Sequence, residues 1–223
     1  MIEDARLKVD RARIHREELA RMLSAHQAEY PPQIAFRPGS LDNPVSDLEV
    51  TVKNAPKMAS SVIGDTIHNL RAALDVLAVQ LVEQAGGDSK GVCFPFAGSE
   101  PELAKIAMKR GFHQAGAQAL EVLRKAQPYR GGNLDLRALH DLDIQDKHRA
   151  IIPVSNFITT PQIQIVGDFP DVRVELVQGS EAEVSYVFPD DAPLAGEEIN
   201  ASLERLEAVV LGLIVEFEAT VPG

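Results

Sequence analysis

The sequence predicts an α+β protein: a helical bundle with long N- and C-terminal helices, packed with a mainly antiparallel sheet, in one domain over residues 1–223. Three observations lead there. Apolar residues recur at helical spacing near both ends and across 59–85. Alternating runs such as Leu48, Val50, Val52 and Val184, Tyr186, Phe188 have the period of half-buried strands. No repeat or low-complexity linker divides the chain.

Residues 2–28 carry Ala5, Val9, Ala12, Leu19 and Leu23 on one stripe, and Pro31-Pro32 cannot continue a helix. Arg16 interrupts that stripe among Arg6, Lys8, Arg11, Arg13 and Arg21, so this helix is expected to face solvent or a second subunit. Ile34 and Phe36, the turn-rich RPGSLDNP and then 48–52 predict a hairpin. The helix at 59–85 is apolar around most of its girth, which makes it central and its few polar side chains partly buried. A short strand is expected at 92–96. Ser99 and Glu102 form a capping-box pattern ahead of helices over 101–126 that break at Gly111. Another helix spans 133–147. Strands are expected at 150–158, 162–166, 172–178 and 182–189, with Gly179-Ser180 as the turn between the last two. The closing helix, 197–218, places Ile199, Leu203, Leu206, Val210, Leu213 and Phe217 in heptad register, suited to the first helix or a second subunit.

Composition narrows the function. The longest apolar run, Ala208 to Val215, falls far short of the ~20 residues that span a membrane, and the polar start lacks a leader's apolar stretch. One cysteine, Cys93, permits no internal disulfide and no thiolate cage. A cytoplasmic protein is expected. The net charge is −11, but residues 1–166 balance 20 acids with 20 bases, whereas 167–223 hold 13 acids against Arg173 and Arg205. RNA is therefore a partner that the charge does not favour. No phosphate loop, dinucleotide fingerprint or serine elbow is present, and no cofactor is expected.

Two polar clusters could carry chemistry. On the 59–85 helix, His68, Arg71 and Asp75 share one face, with Asp65 and Asn69 at its margin. The segment LHDLDIQDKHR supplies His140, Asp143, Asp146, Lys147, His148 and Arg149. Buried charges need partners, so Arg71 and Asp75 should pair with each other or with the second cluster. Several histidines with carboxylates could bind a divalent cation, although no spacing matches a metalloprotease helix. Two readings stay open. In one, the cluster is structural within a non-catalytic binding module, a homodimer through its terminal helices. In the other, Arg71 stabilises developing negative charge and His148 acts as general acid or base, oriented by Asp143 or Asp146.

HNLRAALDVLA (68–78) and LHDLDIQDKHR (139–149) resemble a group of bacterial and phage proteins of no firmly known activity, which carry an HNLRxALDHLA helix and an LHxLxxxDKHR segment. Phe94-Pro95 and the QPY at 127–129 fit the same pattern. The first motif is in turn similar to the Arg, four residues, His signature of HEPN ribonucleases, all-helical nucleases of toxin and phage-defence systems. That resemblance implies Arg71 as the active arginine, with Asn69 as the polar residue before it. The histidine position holds Val76, which cannot take a proton, so His68 or His148 would have to substitute.

Overall fold

The computed structural model describes residues 2–37, 47–149, 154–159, 162–166, 173–178 and 182–220. Six α-helices are present among them: α1 (Glu3–Glu29), α2 (Lys57–Gln84), α3 (Leu103–Lys109), α4 (Ala117–Ala126), α5 (Leu134–Arg149) and α6 (Ile199–Glu218). The strands are β1 (Gln33–Arg37), β2 (Asp47–Thr51), β3 (Ser155–Thr159), β4 (Ile163–Val166), β5 (Arg173–Leu176) and β6 (Glu183–Val187). The α+β expectation with long terminal helices holds.

α2 is the central element and touches α1, α5 and α6. Its Ile63, Ile67, Leu70, Leu74 and Leu77 are completely buried, as the four-and-three spacing requires. It ends where Gly86 adopts a left-handed φ of 76°, a conformation that a side chain would disfavour. All six heptad residues of α6 are buried against the rest of the bundle, so that seam is used within the molecule. Phe94, Phe112 and Phe217 meet edge to face, with centroids 5.9 to 6.2 Å apart.

Three of the five arginines of α1 reach α6, more than their spacing suggests, while Arg11 and Arg21 stay exposed. Arg13 Nε donates to Glu207 Oε1 at 2.6 Å and Arg16 Nε to Glu207 Oε2 at 3.1 Å, while Arg6 binds the carboxylate of Glu218. What reads as a solvated basic helix is thus neutralised on one side by α6.

Four expectations need correction. Residues 92–96 are extended but form no strand; only Ala97 bridges to Tyr129, in parallel, with Ala97 N–H donating to Pro128 O at 3.0 Å. The 101–126 stretch is α3, a 3₁₀ turn at Phe112–Ala115 and α4, since Gly111 and Gly116 both take positive φ. Ser99 makes no side-chain cap to the turn at Glu100–Glu102. Lastly, β5 does not pair with β6. β4–β5 is nested within β3–β6, both antiparallel, and together with β1–β2 they make three two-stranded ladders rather than one sheet. Gly179-Ser180, the expected turn, lies outside the described residues, as does the first part of the 150–158 strand.

The outer ladder is fastened to α1. His26 Nδ1 contacts the Tyr186 hydroxyl at 2.9 Å, and Gln27 Nε2 donates to Val184 O at 2.5 Å. Three or more strands are normally needed for a sheet to stand alone, so these anchors position the ribbon.

Candidate functional site

The two motifs meet along the α2–α5 contact. Arg71 is its centre. The long cationic side chain is only 8% exposed, because it lies against an aromatic ring, a carboxylate and an imidazole. Its guanidinium carbon lies 4.6 Å above the Phe96 ring, and Phe96 stacks on His140 with centroids 4.4 Å apart and planes 5° from parallel. Arg71 Nη1 is 2.8 Å from Asp75 Oδ1, one helical turn away. That contact is a charge pair without an aligned hydrogen bond, since buried Nη1 finds no acceptor in line among the described residues. Arg71 Nε donates to His140 Nδ1 at 3.4 Å.

His140 can accept there only as a neutral ring with its proton on Nε2. Burial lowers its pKa from 6.5 to about 4, helped by the charges of Arg71 and Arg137. Arg137 is itself held by both carboxylate oxygens of Asp141. Asp75 also anchors a loop: its Oδ1 accepts from Phe94 N–H at 2.9 Å and ties α2 to the Phe94-Pro95 segment. Cys93, next in the chain, has its thiol pKa raised by burial, the behaviour of a small core hydrophobe.

One turn back along α2 a second group forms. Asp143 is buried, accepts from Lys147 Nζ at 2.5 Å and lies 3.1 Å from His68 Nδ1. His68 leaves its other edge in solvent, with 54% of the side chain exposed. Asp146 packs against Gly64, where an added Cβ would come within 2.5 Å of Oδ1. Burial raises the Asp146 pKa, and the nearby carboxylates of Asp143 and Asp65 raise it further. Asn69 turns back on its own helix, donating to Asp65 O at 2.8 Å.

The sequence candidates therefore separate. Arg71, Asp75 and His140 are joined, as are His68, Asp143 and Lys147. Asp143, a candidate for orienting His148, gives its two oxygens to His68 and Lys147. His148 and Arg149 stand in the last turn of α5, and their side chains lie outside the described residues. Phe96 was not a candidate, although it carries both Arg71 and His140. Its signal was present in the Phe94-Pro95 segment but had no helical spacing to expose it. Among the described residues no three histidine, cysteine or carboxylate side chains are placed to hold a metal ion. No helix of the described residues is long and apolar enough to cross a membrane.

Arg71 can therefore pin α2 to α5 and to the 92–97 segment, whereas His68 is more than half exposed and has a buried carboxylate behind its Nδ1. No family model matches the chain, nor does any curated protein or solved structure.

Proposed function

We propose that this protein is a non-catalytic binding module of the cytoplasm, in which the α2–α5 polar network is a structural pin. The observation that carries the reading is the enclosure of Arg71 by Phe96, Asp75 and a neutral His140. A guanidinium that stabilises a transition state must offer its N–H groups to substrate. Here the buried N–H edge is turned on protein. A His140 pKa of about 4 also makes that ring a weak base at neutral pH. A homodimer through the terminal helices belongs to the same reading: Leu7 and Ile14 on α1 and Val215 on α6 are each more than half exposed. The single thiol supports a reducing compartment.

A second reading is kept because of His68. A histidine fixed through Nδ1 by a buried aspartate, with no partner on Nε2 among the described residues, has the arrangement of a general base. Phosphodiester hydrolysis of the HEPN kind would then use Arg71 with His68 or His148. Divalent-metal hydrolysis is the third reading and has the least support from the side-chain placement.

The test is incubation of the protein with single-stranded RNA, with and without added divalent metal. No cleavage is expected in either arm. Robust cleavage that is lost in His68→Ala or His148→Ala, with melting temperature unchanged, would overturn the non-catalytic reading.

A further inference from the structure

On its other flank α5 borders a cavity of about 810 Å3, whose second wall is the loop between β6 and α6. Leu134 and Ile144 stand in it, 76% and 40% exposed. Their separation along the helix is about 15 Å at 1.5 Å per residue, so the opening is an elongated groove. Leu194, itself buried, supplies apolar surface opposite.

The groove is also acidic. Asp135 and Asp141 line it from α5, Asp191 and Glu197 from the facing loop. Arg137 answers Asp141, but Asp135 and Glu197 share the single guanidinium of Arg205. Four carboxylates stand against two guanidiniums here, and two of the four, Asp191 and Glu197, come from the segment of chain that holds the whole acidic excess.

We infer that this groove docks a basic amphipathic peptide segment of a partner protein. Its apolar side chains cover Leu134 and Ile144, and its lysines or arginines face the carboxylates. A second copy of this chain is a poorer occupant, because α1, its most arginine-rich helix, balances six bases with six acids. The inference deepens the binding-module reading and rests on it. The RNA assay and the binding assay fail independently.

The probe is a fluorescent amphipathic helical peptide of leucine and lysine, with a matched peptide carrying glutamate for every lysine. The lysine peptide is expected to bind and the glutamate peptide not to bind. Leu134→Ser/Ile144→Ser should weaken binding by at least about tenfold through lost apolar contact. Both side chains are exposed, so the melting temperature of this variant should stay unchanged. Binding of the glutamate peptide, binding of neither peptide, or undiminished binding to the double variant would each overturn the proposal. The last outcome would reveal diffuse attraction to an acidic surface.

Discussion

The α1–α6 contact buries Glu207 and the α2–α5 contact buries Arg71 beside Asp143, and Glu207 and Arg71 are held in opposite ways. Glu207 is buried and receives two guanidiniums, each through a hydrogen bond. Arg71, buried to the same degree, has one carboxylate, one neutral imidazole and one aromatic face. Arg13 keeps 38% of its side chain in solvent, whereas Arg71 keeps 10%. The first arrangement is redundant. The second has a single counter-charge, so loss of one partner leaves a buried ion with nothing to balance it.

The largest effect should come from Asp75→Ala, which strands Arg71 and also removes the acceptor for Phe94 N–H. A loss of about 4 kcal/mol is expected in urea unfolding. Arg71→Ala should cost about 3 kcal/mol, because Asp75 keeps its main-chain donor and reaches water. If Arg71→Ala proved the more damaging of the two, packing on Phe96 rather than charge would be the dominant contribution.

His140 separates the contacts by pH. Its folded-state pKa is depressed to about 4, below the ordinary 6.5. Its contribution is therefore complete above pH 6.5 and is lost as pH falls from 6.5 to 4, where the unfolded chain takes a proton that the folded ring refuses. Allowing for solvent that reaches the ring, the loss is about 2 kcal/mol. His140→Phe keeps the stacked ring and should abolish this limb of the stability–pH curve. An unchanged limb would place the titration elsewhere.

The smallest effect belongs to the redundant contact. Arg13→Ala leaves Arg16 on Glu207, and about 1 kcal/mol is expected. In an Arg13→Ala/Arg16→Ala double variant the loss should exceed the sum of the singles, since only then is Glu207 a buried, unpaired carboxylate. Simple additivity in that cycle would show that each arginine acts alone.

Much of the candidate site was legible in the sequence for a local reason. Arg71 and Asp75 are one helical turn apart, as are Asp143 and Lys147, and spacing alone predicts those pairs. The expectation that the two motifs pair followed from the cost of burying charge on an apolar helix. Phe96 escaped because ring stacking between a loop and a helix leaves no periodic trace. Glu207 escaped for the opposite reason: it is one acid among many in an acidic segment, and its partners lie 191 and 194 positions away in the chain.

Helix positions and helix ends were determined by the sequence itself, because a 3.6-residue period, a proline or a left-handed glycine acts through neighbours in the chain. The six strands that form were legible as strands, although the one expected at 92–96 does not form. Their pairing was not: alternation says which face is apolar but not which strand lies alongside, and β5 takes β4 instead of β6. Tertiary structure decided that nesting, the partner of Glu207 and the enclosure of Arg71, since each depends on surfaces brought together only when distant segments bury their apolar faces against α2.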